Sequence, residues 1–241
     1  MRQYAFIGLG TLAMSMLEKV AEVTDQIIVI DKDPALIDRV KDLVKTAFVA
    51  DVLDEEAFVK VLPDAVDVAL VDLAPDIEAS LLVTHRLKKL GVEEIIVKAD
   101  SDEKAELLSL LGATRVINSD REAAARIVPL ILSTMLYNFL PIGGELVMAE
   151  VEVPHSLVGK TLIEADLRQK QGVNVVAIRS EKSTSYRNLD REYRLAKDDF
   201  LLLVGLEKDV FAFSGLPLSI AASRRTSTLN SILKPTAKRR D

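Results

Sequence analysis

The 241-residue chain has no cysteine, no tryptophan, only two histidines and an aromatic content of 5%. Without cysteine there can be no disulfide framework, no thiol nucleophile and no Cys-based zinc or iron–sulfur site. His85 and His155 are far apart in sequence, which speaks against a His-rich metal site. A net charge of -6 speaks against wholesale nucleic-acid binding. Two uncharged runs invite a membrane reading and do not sustain it. Gln3–Leu17 follows Arg2, but Gly8 and Gly10 interrupt it and no small-residue cleavage pattern closes it, so a signal peptide is not expected. Ile127–Gly144 is near the length of a span, yet it contains Pro129, Ser133, Thr134, Asn138 and Pro141. A buried or dimer-forming helix is expected there, and a soluble, cytoplasmic protein overall.

What is present is ample apolar material. Hydrophobic residues make up 49% of the chain and charged residues 28%, enough for a genuine core. The charge is unevenly spread. Residues 215–241 hold Arg224, Arg225, Lys234, Lys238, Arg239 and Arg240 against the single acid Asp241, so an acidic body carries a basic tail. Leu216, Leu218, Leu229, Ile232 and Leu233 are interspersed with these cations. The tail reads as a disordered terminus or as an adaptor for anionic lipid or a partner subunit.

In the first half, short apolar runs alternate with helical patterns. Tyr4–Gly8, Gln26–Asp31, Ala47–Ala50, Val66–Val71, Glu94–Lys98 and Thr114–Ile117 read as strands. Between them, Leu12, Met16, Leu17 and Val20, then Leu36, Ile37, Val40, Leu43 and Val44, recur at helical spacing, with Pro34 opening the second helix. Helices are also expected at Asp54–Leu62, Asp76–Leu90 and Asp102–Leu111, the last two closed by Gly91 and Gly112. Such alternation predicts an α/β domain over residues 1–140, a doubly wound, Rossmann-like parallel sheet covered on both faces. After Pro141-Ile-Gly-Gly144 the texture changes. Strands are expected at Glu145–Val153, Val173–Arg179 and Phe200–Val204, with helices at Lys160–Gln171 and Glu207–Phe213 and a loop at Glu181–Asp190. Residues 141–214 thus form a small α+β lobe, near the lower size limit for independence.

The motif with chemical meaning is Gly8-Leu-Gly-Thr-Leu-Ala13, which follows a strand and opens a helix. Gly8 permits a tight turn, and Gly10 lets backbone approach a pyrophosphate held by free N–H groups at the helix start. Ala13 is small enough for close helix–sheet packing. Asp31 closes the second strand 21 residues after Gly10, where an acid accepts hydrogen bonds from ribose hydroxyls. A vacant domain keeping these residues for turn geometry is the competing reading. Asp51, after the third strand, is either an acceptor for an adenine amino group or the cap of the next helix. Lys98, at the end of the fifth strand, is either a phosphate partner or a solvated lysine. His85 lies among Thr84, Arg86, Lys88 and Lys89 on a solvated helix face, and His155 follows Pro154 in a loop.

A dehydrogenase must move a proton with its hydride, and the second lobe offers no His, Lys–Tyr or Cys arrangement for that. A nucleotide bound without chemistry acts as an effector, through its differential affinity for two conformations. The chain is therefore read as a non-enzyme, the alternative being an NAD-dependent oxidoreductase or a truncated relative of one.

The order GLGTLAMSML, IIVIDKDPALI, AFVADVLDEEAF, VDVALVDLAPDIEASLLVTHRLKKLG and IIVKADSDEKAELLSLLGATRVINSDREAAARI resembles the RCK (KTN) N-terminal domain of Trk/Ktr-type potassium-transport regulators. VEVPHSLVGKTLIEADLRQKQGVNVVAIR and KDDFLLLVG resemble the companion RCK C-terminal lobe. The resemblance implies a cytosolic regulatory subunit that dimerises through a long crossover helix, assembles into rings and gates a separate integral-membrane potassium channel. It implies an effector drawn from ATP, ADP, NAD and NADH. It places the phosphate turn at Gly8, Gly10, Thr11 and Leu12, and the ribose acid at Asp31 with Lys32 beside it. The adenine contact falls on Asp51 and Val52, and Ala74 and Lys98 line the same cleft. Thr11 stands where many members carry an Arg that reaches a terminal phosphate. Ser119-Asp120 stands where the family usually has Pro-Glu, which would put any cation role at Asp120. Some family C-lobes bind cyclic di-AMP, which would lie near Arg168 and Asn174.

Overall fold

Apolar runs with no alternating polar face are satisfied only inside a sheet covered on both sides, and that is where they fall. The computed structural model describes residues 2–62, 66–187, 190 and 192–216. Six strands, β1 (Tyr4–Ile7), β2 (Ile27–Asp31), β3 (Thr46–Val49), β4 (Val68–Val71), β5 (Glu94–Lys98) and β6 (Arg115–Ile117), form one parallel sheet. Their order is β3-β2-β1-β4-β5-β6, so the direction of winding reverses between β1 and β4. The crossovers carry α1 (Thr11–Ala21), α2 (Pro34–Val40), α3 (Glu55–Val61), α4 (Ile77–Lys89) and α5 (Asp102–Leu110).

Alternate strand residues serve opposite faces. Ile7, Ile30, Val71 and Ile95 pack with Val83 and Leu87 on one side. Phe6, Val29 and Leu70 pack with Leu17 and Ile37 on the other. The helices begin where short polar side chains can cap them: Asp33 accepts from Ala35 N–H, Asp54 from Ala57, Asp76 from Ala79 and Ser101 from Lys104. α2 stops at Val40, short of the apolar pattern that reached Val44, because the chain turns back toward β3.

Two compact units divide the chain, residues 1–121 and 122–241. The second contains an antiparallel sheet of β7 (Leu136–Gly143), β8 (Leu146–Glu152), β9 (Val173–Ser180) and β10 (Asp199–Leu206), in the order β7-β8-β10-β9. α7 (Leu162–Ala165), α8 (Leu167–Gln171) and α9 (Glu207–Phe213) complete it, around a core that includes Phe139 stacked on Phe211. The α/β domain and smaller α+β lobe expected from the sequence are both present.

The buried or dimer-forming helix expected over the uncharged run 127–144 extends only to Leu132: α6 (Ser119–Leu132) ends inside the run, and β7 takes most of the rest as an edge strand. Pro141 is tolerated because an edge strand leaves one side of its backbone unpaired, and the register slips on either side of it. Most of β7 is exposed, as are Ile127, Val128, Ile131 and Leu132 of α6, while Pro129 is buried and Leu130 packs on the lobe core. The expected helix at 160–171 is likewise split into α7 and α8, the first opened by a reciprocal cap between Thr161 and Glu164.

The two buried carboxylates described in this unit are each satisfied by a local cluster. Asp199 accepts from Tyr193 Oη at 2.7 Å and Ala196 N at 2.8 Å, with Arg187 at 3.3 Å. Glu150 accepts from Arg179, whose guanidinium lies over the Phe200 ring. The tail expected from residue 215 is described only at Gly215 and Leu216, where Leu216 joins the lobe core and donates its N–H to Phe211 O. The rest of the tail lies outside the described residues.

Candidate functional site

Ligands of open parallel sheets bind beyond the carboxyl ends of the strands, at the point where the strand order reverses. A cleft of about 320 Å³ opens there, beyond β1, β2, β3 and β4. It is lined by Gly8, Gly10, Asp31, Lys32, Asp51, Val52 and Ala74 among the expected residues, together with Ile30, Leu36, Leu53 and the segment Asp72–Asp76.

The turn between β1 and α1 is held from three sides. Gly8 has φ +80°, and a Cβ there would lie 2.4 Å from the Asp72 carbonyl oxygen, so both conformation and space demand glycine. A Cβ on Gly10 would lie 2.2 Å from Asp72 Oδ2. Leu9 N–H donates to Asp31 Oδ2 at 2.6 Å, and Asp31 Oδ1 accepts from Asp33 N–H at 2.8 Å. Each Asp31 oxygen retains a lone pair, so the carboxylate can also accept from ribose hydroxyls.

Thr11 and Leu12 open α1 just beyond Gly10, which provides no side-chain cap, and no described group accepts their N–H hydrogens. Those donors and the positive end of the helix suit a phosphate. The third donor is taken: Ala13 N–H is bonded to Asp72 Oδ2 at 3.1 Å.

Asp51 lines the cleft but does not cap the next helix. Asp54 does that, while Asp51 Oδ1 accepts from Leu53 N–H at 2.9 Å in a local turn. Lys98 does not line the cleft directly. Its ammonium lies 3.4 Å from Asp72 Oδ1, with the side chain largely covered, so it is not a solvated lysine.

Sequence reasoning missed two residues. Asp72 is 3% exposed and connects the glycine turn, Ala13 and Lys98. Its only sequence signal is an acid directly after an apolar strand, and its meaning depends on β1 lying beside β4. Arg86 was placed on a solvated face with His85. His85 is exposed, but Arg86 reaches across to donate Nη1 to Val52 O at 2.7 Å and Nη2 to Leu53 O at 3.3 Å. It also lies 5.9 Å from the Phe58 ring centroid, fixing the loop that forms one wall of the cleft.

No group of three or more potential metal-ligating His, Cys, Asp or Glu side chains occurs among the described residues. No described helix is long and apolar enough to cross a membrane.

The TrkA-N domain model matches residues 4–119 and the TrkA-C domain model residues 146–214. The Ktr system potassium uptake protein C of Bacillus subtilis is 30% identical over 212 residues, covering 88% of this chain and 96% of that one. The chain belongs to the Ktr potassium uptake family, with TrkA-N and TrkA-C domains. The Ktr system potassium uptake protein A of Vibrio alginolyticus is 28% identical over 204 residues, covering 85% of this chain and 92% of the relative. Among solved structures, the GsuK RCK domain superposes with a TM-score of 0.61 at 18% identity, over 89% of this chain and 47% of that one. The GsuK channel bound to NAD gives 0.62 at 19% identity, over 89% of this chain and 39% of that one. The Ktr-type chain thus spans less than half of these GsuK chains and shares their fold.

Proposed function

We propose that the chain is a nucleotide-binding regulatory subunit of a membrane potassium-uptake system, working by ligand-controlled conformational change without catalysis. The observation that carries this reading is the convergence on one cleft of the glycine turn and the Asp31 carboxylate, with the open start of α1 directly after Gly10. A nucleotide supplies a charged diphosphate and a ribose that these groups recognise. Thr11 and Leu12 N–H donate to phosphate, Asp31 accepts from ribose hydroxyls, and Val52 and Leu53 with Ile30 form apolar walls for a base, near Asp51. Ala74 borders the same space, Lys32 stands at its rim, and Lys98 contributes positive potential from behind Asp72.

The Ktr relatives that the chain matches are potassium uptake proteins, which supports an effector role over a dehydrogenase. An effector acts by binding one conformation more tightly than another. The unit of residues 1–121 serves as the nucleotide domain, and the lobe that follows α6 serves as its companion.

Assembly with further copies of the chain, as a dimer or a larger ring, is part of the proposal. Ile127 and Ile131, then Val128 and Leu132, repeat at one-turn spacing on α6 and are all exposed, Ile131 at 75%. A face of this kind is suited to burial against its own copy. The assembly would sit in the cytoplasm, at the inner face of the membrane through its channel partner. The test is potassium flux through the reconstituted membrane partner, with and without this chain and with NADH, ADP or ATP added. Nucleotide-dependent change in flux that vanishes with Asp31→Ala supports the proposal; flux indifferent to nucleotide contradicts it.

A further inference from the structure

A buried acid beneath a phosphate-binding turn is electrostatically the wrong sign, and Asp72 is such an acid. It is 3% exposed, and all three carboxyl atoms lie within 2.6 Å of where a Gly10 Cβ would stand. Oδ2 consumes the Ala13 N–H, one of the first-turn donors that would otherwise face an anion. Oδ1 has no hydrogen-bond partner among the described residues and is offset only by the Lys98 ammonium at 3.4 Å. Lys98 lines a small adjoining pocket that shares Ala74, Pro75 and Asp76 with the cleft, whereas Asp72 lines the cleft itself, so the carboxylate is the member of the pair on the cleft side. Asp31, Asp51 and Asp76 also line the cleft, against the single cation Lys32.

We infer that Asp72 is a specificity determinant, making the cleft favour a nucleotide whose phosphates are all diesters, such as a dinucleotide of the NAD type, over nucleotides ending in a free phosphate. The inference rests on the nucleotide reading of the cleft and names the ligand class within it. The physical ground is charge. A diester phosphate carries a single negative charge, whereas a terminal phosphate is close to doubly charged at neutral pH. The helix start can hold the first kind with Thr11 and Leu12 N–H alone. Extra charge at the same place meets the Asp72 carboxylate through a low-dielectric layer, where repulsion is only weakly screened. Thr11 has no charge with which to offset it.

The experiment is calorimetric titration of the full chain with NADH, ADP and ATP, each in EDTA and again with magnesium. Wild type is compared with Asp72→Asn and Lys98→Gln. Asn keeps an acceptor for Ala13 N–H and removes the charge; Gln keeps a donor toward Asp72 and removes the opposing one. Asp72→Asn is expected to tighten ADP and ATP by about tenfold more than it changes NADH. Lys98→Gln is expected to move the preference the other way, so the inference stays testable if one variant folds poorly. Thermal unfolding establishes that each variant is folded. Affinity ratios within about twofold of wild type in both variants overturn the inference while leaving the nucleotide reading intact. Loss of ATP binding by Asp72→Asn only when magnesium is present overturns it too, because Asp72 would then be holding a cation. Absence of binding by any nucleotide to any form removes the nucleotide reading itself and this inference with it.

Discussion

Asp31 Oδ2 accepts the Leu9 backbone N–H at 2.6 Å, tying the end of β2 to the turn that follows β1. The same carboxylate holds Asp33 N–H at 2.8 Å, just before Pro34 opens α2. One side chain therefore shapes the glycine turn before any ligand arrives. Hydrogen bonds to a charged acceptor contribute about 1.5–3 kcal/mol each when the donor would otherwise be buried. Asp31→Ala is expected to destabilise the fold by about 2 kcal/mol, since one of its two donors is exposed. Asp31→Asn, which keeps one acceptor oxygen, is expected to lose less. Urea unfolding of the two variants checks the order.

Gly10 and Asp72 form a steric pair, so each restricts the other. Gly10→Ala is expected to destabilise the protein by about 1–3 kcal/mol, the usual range for overpacking a filled site. Because the obstructing atoms at Gly10 all belong to the Asp72 side chain, a second change of Asp72→Ala should recover part of that loss. Gly8 supplies a control: its obstacle is mainly the Asp72 backbone, so Gly8→Ala should not be rescued. A double-mutant cycle by chemical denaturation reads both couplings.

Arg86 shapes the opposite wall of the cleft. Arg86→Met keeps much of the stem against Phe58 and removes the donors to Val52 O and Leu53 O. A loss of about 1–2 kcal/mol is expected, with faster amide exchange confined to the Asp51–Asp54 loop. Nucleotide affinity should fall, since the wall is no longer fixed. Exchange measured residue by residue distinguishes this local release from global destabilisation.

Tyr193 gives the C-terminal lobe a dependence on alkaline pH. Burial, and then the hydrogen bond to Asp199, raises its hydroxyl above the ordinary 10.0. The folded state therefore holds this proton more tightly than the unfolded chain does. The associated stability is fully present below about pH 10 and is lost as pH rises through the higher folded value. Tyr186 is raised in the same direction, by burial and then by Glu150. Tyr193→Phe should thus lower stability at neutral pH, through the lost bond to Asp199, and flatten the alkaline fall without abolishing it. Thermal melts from neutral pH to about pH 11 would show both.

The parallel sheet was legible because its strands are short, continuous apolar runs punctuated by glycine and capping acids, a pattern that central strands in doubly wound sheets share. The glycine turn and Asp31 were legible because their spacing is local to one β-α-β unit. Asp72 was not, since its partners Gly10, Ala13 and Lys98 are brought to it only by the pairing of β1 with β4 and of β4 with β5. Arg86 was hidden for a related reason: helical spacing shows which face a residue shares, but not that a long side chain will reach a loop 34 residues away. β7 was misread because Leu136–Gly143 has neither charge nor clean alternation, so its periodicity could not separate a helix from an edge strand.

Regulation of this kind requires nucleotide binding at the turn between β1 and α1. Calorimetric titration of wild type and Asp31→Ala with NADH tests it most directly. Saturable binding of NADH to the wild type is expected, weakened at least tenfold by Asp31→Ala, as the loss of a charged ribose acceptor requires. Binding of equal strength to both proteins, or none to the wild type, would contradict it.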